Sequence, residues 1–411
     1  MSKFVPNGWE NQRLDELSKV VDSAHQTPIF SNFGIPMVRV GDINGGKVSL
    51  ANTKLVTDDI YRIFAKNHEP KFNDVLMTRV GSYGRSSIVK TSKKFCLGQN
   101  TVVISPRKMN SDFLYQFLQT ENINNQIEDT VGGSSQKSLS LGAIKSLRVL
   151  TPPFPEQQKI AKILTSVDDV IETTQAQIDK LKDLKTGMMQ ELLTNGIGHT
   201  EFKDSPVGII PAEWDCIKMN NVAKVTDGAH FTPTYTSEGV PFLRVTDLKN
   251  KSILSGNIKY IPFNEHEELI KRCNPEKGDI LFSKNGTIGL TRLIDWEGEF
   301  SIFVSLALIK ILSAKVTSEY LTLFMESPIV KYQIKSRSKQ GSVTNLHLEE
   351  IRDFDIPLPT VVEQFKIVKM LSSIIEKLDS VKIKHESLIK LKKALMQDLL
   401  TGKVRVKVDS E

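Results

Sequence analysis

The feature that most constrains this chain is that its sequence is written twice. Pro6–Asp42 matches Pro211–Asp247 at a constant offset of 205, with 14 of 37 positions identical. Trp9 recurs as Trp214, and the Ala-His-x-Thr-Pro string at Ala24–Pro28 recurs at Ala229–Pro233. The same offset carries Asp74, Gly81 and Gly84 onto Asp279, Gly286 and Gly289. After a shift of two residues the match resumes, and Glu156–Thr194 aligns with Glu363–Thr401 with 15 of 39 positions identical. Self-similarity at this scale means one structural unit used twice, here in the order globule, helix, globule, helix.

Each globule reads as α+β. Val240–Val245, Asp279–Ser283 and Leu306–Leu312 are β-rich runs bounded by glycine, proline and asparagine, the signature of short strands between turns. Ser111–Ile123 and Ser318–Val330 space their apolar residues as helices do. The segments that follow are longer and simpler. Ile160, Ile163, Leu164, Val167, Ile171, Ile178, Leu181 and Leu184 form an apolar stripe, repeated by Ile367, Met370, Leu371, Ile374, Leu378, Val381, Leu388 and Leu391. A 39-residue helix is about 58 Å long, more than a globule of this size needs, so the two stripes are expected to bury against each other as a coiled coil. Pro155 suits a first helical turn, Thr360 with Glu363 has capping-box spacing, and Gly196 and Gly402 stand where the helices should stop. The expected divisions are 1–151 and 199–357 for the globules, with 152–198 and 358–411 for the helical segments.

Several chemistries are poorly supported. TPPF at Thr151–Phe154 resembles the Pro-Pro-aromatic string of amino-methyltransferases, but threonine lacks the amide or carboxylate needed there, and the other half reads Leu-Pro-Thr. No G-x-x-x-x-G-K-[ST] phosphate loop or H-E-x-x-H pair occurs. Cys96, Cys216 and Cys273 are three in number and widely spaced, which makes neither a disulfide framework nor a zinc set. These features predict no catalytic residues and no metal site. No run approaches a membrane span, and Met1–Trp9 lacks a signal-peptide core, so a cytoplasmic location is expected. The net charge of +6 fits a polyanionic partner without requiring one.

The glycine loops Thr78–Ser87 and Ser283–Arg292 are the better candidates for function. Glycine lets a loop approach another backbone closely, arginine offers a fork to guanine, asparagine pairs with adenine, and Ser, Thr and Lys suit phosphates. A tight hairpin would use the same glycines without touching DNA. A third polar stretch, Gly132–Ser138 with Gln340–Asn345, precedes a strand and the long helix in both halves. It reads either as a phosphate-gripping loop or as a simple connection. The candidate DNA contacts are Arg39, Thr78, Arg79, Ser82, Tyr83, Arg85 and Lys137 in the first half. In the second half they are Arg244, Ser283, Lys284, Asn285, Thr287 and Asn345. His25 and His230 suit a hydrogen-bonded turn as well as a DNA contact.

With the repeat, the glycine loops and the Pro-x-x-Glu-Gln start at Pro153–Gln157 in view, the chain resembles the DNA-specificity subunits of type I restriction-modification systems over nearly its whole length. The helix endings ELLTNG and DLLTGK look like hallmarks of that family. The resemblance implies two target-recognition domains separated by two long antiparallel helices, related by a pseudo-twofold axis. Each domain would read half of a bipartite double-stranded DNA target, and the helices would set the spacing. It also implies two methyltransferase subunits and restriction subunits as partners, with S-adenosylmethionine, ATP and magnesium bound by those partners and none by this chain. Partner binding is then expected at the helix starts, at Gln157, Lys159, Lys162, Gln364, Lys366 and Lys369. Two alternatives share parts of this architecture: the specificity chain of a type IIB-like fused enzyme, and a structural coiled-coil adaptor without DNA affinity.

Overall fold

The structure is a computed structural model, and it describes residues 5–131, 138–249, 258–337 and 345–408. The chain divides into two compact units, residues 1–176 with 382–411 and residues 177–381. The division differs from the expected one because the long helices are not separate domains. Each unit takes one part of each helix into its own core.

In chain order the first unit contains β1 (Glu10–Arg13), α1 (Leu14–Leu17), β2 (Ser18–Asp22), β3 (Ile35–Val38), β4 (Lys54–Val56), α2 (Asp58–Ala65), β5 (Val75–Thr78), β6 (Ser86–Ile88), β7 (Cys96–Leu97) and β8 (Thr101–Pro106). It continues with α3 (Ser111–Phe117), α4 (Glu121–Val131), α5 (Leu141–Ser146), β9 (Arg148–Thr151) and the long helix α6 (Phe154–Thr194), which runs on into the second unit. The antiparallel order β2-β8-β5-β6 makes the main sheet, β4-β3-β7 a smaller mixed one, and β1 pairs with β9. Strand β5 explains the layering. All four of its residues are buried, and because strand side chains alternate between faces, Val75 and Met77 enter the core formed with α3, α4 and α5, while Leu76 joins Val38 and Phe95 on the opposite face.

The second unit repeats this plan. It holds β10 (Phe202–Ser205), β11 (Gly208–Pro211), β12 (Asp215–Lys218), β13 (Ala223–Asp227), β14 (Val240–Leu243), β15 (Lys259–Ile261), α7 (Phe263–Ile270), β16 (Ile280–Ser283), β17 (Thr291–Leu293), β18 (Ser301–Ile302) and β19 (Leu306–Ile311). There follow α8 (Ser318–Met325), α9 (Pro328–Arg337), α10 (Leu348–Arg352), β20 (Asp355–Leu358) and α11 (Val361–Leu399). The orders β13-β19-β16-β17, β15-β14-β18 and β12-β20 match the first unit strand for strand. Hairpin β10-β11 is added ahead of the repeat.

The apolar stripes bury near the ends of the helices and again midway, where Ile178, Leu378 and Val381 meet, with more exposed positions between. In the first unit Ile160, Ala161 and Leu164 of α6 join Leu399 and Leu400 in one core, and Asp168 pairs with Lys392 at 2.7 Å. In the second unit Met189, Leu192 and Leu193 share a core with Ile367 and Leu371, and Ile178 packs against Leu378 and Val381. Within each unit, rising numbers on α6 meet falling numbers on α11, so the helices run antiparallel. Leu184 and Leu391, equivalent stripe positions, are about half exposed. Gly196 and Gly402 follow the helix ends in the left-handed region, with φ of +67° and +69°, as expected of helix stops. The capping box at Thr360 forms only in part: Thr360 Oγ1 accepts from Glu363 N–H at 3.3 Å, while the Glu363 carboxylate is bound elsewhere.

Candidate nucleic-acid interface

In both units the loop after the third strand of the main sheet is closed by one hydroxyl. Thr78 Oγ1 donates to Ser82 O at 2.5 Å and accepts from Arg85 N–H at 3.1 Å. Ser283 Oγ donates to Thr287 O at 2.6 Å and accepts from Leu290 N–H at 2.7 Å. The two turns need left-handed backbone at Gly81 and Gly84, and at Gly286 and Gly289, where φ lies between +71° and +92°. That conformation is disfavoured for residues with a Cβ. Both Thr78 and Ser283 are fully buried with their hydroxyls spent on the loop. Assigned to DNA from the sequence, they lie inside the loop and shape it.

The next residue in each loop is also drawn inward. Arg79 forms an ion pair with Asp22 and donates from Nε to Leu139 O at 2.9 Å, and its side chain is 17% exposed. Lys284, its equivalent, is 7% exposed and lies 3.4 Å from Asp227. Asp22 and Asp227 are themselves equivalent, the last residues of β2 and β13. Arg79 and Lys284, assigned to DNA from the sequence, thus both face inward to a carboxylate. A cation aimed at a shielded carboxylate anchors the loop to the sheet and has little reach left for a ligand.

What faces solvent is the loop tip. Ser82 and Arg85 are exposed in the first unit, and Arg85 donates to Asn44 Oδ1 at 3.3 Å. Tyr83 packs its ring on the core and donates its hydroxyl to Glu128 at 3.0 Å, a bond that raises its pKa. In the second unit Thr287 and Asn345 are exposed, and Asn285, half-buried, forms a β-bridge with Asn345. Val80 and Ser138 form the equivalent bridge, so the last residue of each polar stretch, Ser138 or Asn345, lies against the glycine loop of its unit. Lys137 lies outside the described residues. Arg39 precedes a short helical turn and Arg244 a tight turn, binding Asp42 and Asp247 through Nε at 3.2 and 3.1 Å, with 39% and 30% of the side chain exposed. The frame is repeated while its solvent-facing residues differ, with Arg85 opposite Leu290 and Val80 opposite Asn285.

At the helix starts the structure separates glutamines from lysines. Gln157 is buried, accepts from Asn110 N–H at 2.9 Å and donates to Pro152 O at 2.8 Å. Gln364 is fully buried, accepts from Thr317 N–H at 2.9 Å and donates to Lys315 O and Pro359 O. Both glutamines, assigned to partner binding from the sequence, are buried and tie each helix to its own globule. Lys159, Lys162, Lys366 and Lys369 are exposed. Thr151 ends β9 and Pro152 serves as acceptor for Gln157, as Pro359 does for Gln364, so TPPF is a strand-to-helix junction. Sequence reasoning overlooked Asp22, Asp227 and the glutamates Glu156 and Glu363. All four are identical across the repeat, and that was the available signal.

Comparison with known proteins agrees with this geometry. The family model for the type I restriction modification DNA specificity domain matches residues 6–183 and again 211–391. Two relatives from Methanocaldococcus jannaschii, the putative type I restriction enzyme MjaX specificity subunit and the MjaVIII specificity subunit, are 28% and 25% identical. The matches cover 98% of this chain and 95% and 94% of theirs. The EcoBI specificity subunit of Escherichia coli is 20% identical over 98% of this chain and 86% of its own. The S subunit of a type I system from M. genitalium has the same fold, with a TM-score of 0.60 at 16% identity, covering 97% of this chain and 98% of that one. Among the described residues no helix is long and apolar enough to cross a membrane. The chain therefore belongs to the type I restriction-modification DNA specificity family and carries its domain twice, as the non-catalytic subunit that gives such a system its DNA specificity.

Proposed function

We propose that each unit reads one half of a bipartite double-stranded DNA target through the tip of its glycine loop and the residue bridged to it, Ser138 or Asn345. The observation that carries this reading is the pair of identical hydrogen-bonded frames holding different exposed residues, Ser82 and Arg85 in one and Thr287 and Asn345 in the other. A shared frame with different tips suits two half-sites of different sequence, because phosphate contacts position a protein and base-edge contacts specify the target. Arginine at position 85 fits a guanine edge and asparagine at 285 or 345 an adenine edge. Lys159, Lys162, Lys366 and Lys369 would dock two copies of a methyltransferase subunit, one at each helix start, and restriction subunits would join that complex in the cytoplasm. S-adenosylmethionine, ATP and magnesium would be bound by those partners.

Genome-wide mapping of adenine methylation, with the gene present, deleted, or carrying Arg85→Ala, tests this reading. A split motif that vanishes on deletion and loses stringency in one half with Arg85→Ala is the expected result. A methylation pattern indifferent to the deletion overturns it.

A further inference from the structure

At the loop end of each unit one repeated element remains without a role: the turn carrying Ala-His-x-Thr-Pro. His25 Nε2 lies 3.0 Å from Asp22 Oδ2, with 65% of its side chain exposed. His230 Nε2 lies 3.1 Å from Asp227 Oδ1, with 56% exposed. The carboxylates beneath are 18% and 3% exposed, and each already faces an inward cation, Arg79 or Lys284. We propose that His25 and His230 are ligands for DNA backbone phosphates, one in each unit. The proposal rests on the DNA reading above and extends it to a second loop.

The chemistry follows from the orientation of the ring. The Asp22 carboxylate only accepts, so His25 Nε2 carries the proton that it receives and its outward edge is Nδ1, whereas His230 Nε2 faces both the Asp227 carboxylate and Arg272 Nη2, a donor. In the neutral His25 ring Nδ1 could only accept, as could a phosphate oxygen, so a phosphate contact there needs the imidazolium; at His230 a ring that accepts from Arg272 at Nε2 can donate from Nδ1. The charge of the His25 imidazolium would not be cancelled locally, because Asp22 is balanced by Arg79. In the second unit Arg272, 57% exposed, also pairs with Asp227, and its Nη2 lies 3.1 Å from His230 Nε2. The charged groups against His25 are thus Asp22 and, beyond it, Arg79. Those against His230 are Asp227 and Arg272, with Lys284 across the carboxylate. Arg272 would share the phosphate with His230 in the second unit. Buried cations alone would serve to hold the turn; the exposed imidazoles are the members of each cluster that a strand of phosphates can reach.

The test uses the full chain assembled with its methyltransferase subunits and a short duplex of random sequence, with binding followed by anisotropy over a salt series near pH 6 and near pH 8.5. His25→Ala should weaken binding several-fold near pH 6 and lower the slope of log K against log salt by about 1. The wild type should lose the same increment on going to the higher pH, and the variant should not. His25→Gln, which can still donate to Asp22 but carries no charge, should behave like His25→Ala; a loss confined to His25→Ala means a structural turn and overturns the proposal. Salt slopes and pH profiles of His25→Ala and His230→Ala that run parallel to the wild type also overturn it, while leaving DNA reading by the glycine loops intact. Absence of salt-dependent binding by the wild type would remove both.

Discussion

The indole N–H of Trp9 donates to Oε2 of Glu156 at 3.1 Å, joining the first strand region of one globule to the opening turn of α6. Arg405, which follows the end of α11, closes on the same carboxylate at 2.7 and 2.8 Å. The second unit builds the equivalent with Trp214 at 3.0 Å from Glu363, and with His199 and the Ile197 N–H each at 2.9 Å. One glutamate in each unit thus gathers a globule, the start of one helix and the tail of the other.

Replacing that glutamate should cost folding stability. Glu156 is 3% exposed, and truncating one partner of a buried charged cluster typically costs about 3 kcal/mol. Because Arg405 is partly exposed and can be rehydrated, Glu156→Ala should fall at or just below that figure. Calorimetry should show the loss, and proteolysis near Lys403 should speed up in parallel. An unchanged melting profile would mean that the clamp holds nothing.

Glutamines and lysines at the helix starts should separate in two assays. Gln157→Leu and Gln364→Leu leave buried backbone groups unpaired and should each cost about 2 kcal/mol, while leaving assembly with a methyltransferase subunit intact at temperatures where the variant is folded. Lys159→Glu with Lys162→Glu should leave stability within about 0.5 kcal/mol, as surface changes do, and weaken assembly measured by native mass. Equal effects of the two pairs on assembly would contradict the division.

Removing residues 359–411 should harm both units, not only the one they follow in sequence. The deletion takes Ile367 and Leu371 from the second core and Leu399, Leu400 and Arg405 from the first. Large apolar truncations in a core each cost about 2–5 kcal/mol. Hydrogen exchange should therefore show lost protection in β5 and β8 as well as in β16 and β19; protection unchanged in β5 and β8 would argue against the shared cores.

Much of this arrangement was legible in the sequence because repetition amplifies weak signals. Two matching copies located the strands, the long helices and their glycine stops. The copies could not show direction of reach. Arg79 and Lys284 look like ligands for phosphate because a lysine answers an arginine on a glycine loop, yet both point to a carboxylate that β2 and β13 bring beside them. Gln157 and Gln364 likewise look like surface residues on a polar helix start, and only their own globules, whose Asn110 and Thr317 N–H groups donate to them, draw them in. Sequence spacing reports which residues share a face of a helix; it does not report what covers that face.

The first unit should also lose stability at alkaline pH through a buried pair of weak acids. Burial pushes the Cys96 thiol up from its ordinary 9.0 to about 12. Burial, followed by a bond to Glu69, raises the Tyr61 phenol from 10.0 to about 12. Both stand in one small core with Met37, Val56 and Phe64. The folded unit therefore keeps protons that the unfolded chain releases. Below pH 9 the preference for the neutral thiol is fully present; between 9 and about 12 the unfolded chain's Cys96 ionises first and stability falls by about 1.4 kcal/mol per pH unit, and from pH 10 Tyr61 adds a smaller fall in the same direction. Denaturant titrations from pH 8 upward should show this fall, and Cys96→Ala should flatten it by one group's share above pH 9 even though the smaller side chain lowers stability at pH 8. In the native protein at pH 8, Cys96 should resist alkylation while the half-buried Cys216 reacts faster. Rapid labelling of Cys96 without loss of fold would mean that this core opens locally, and the alkaline slope should then be absent.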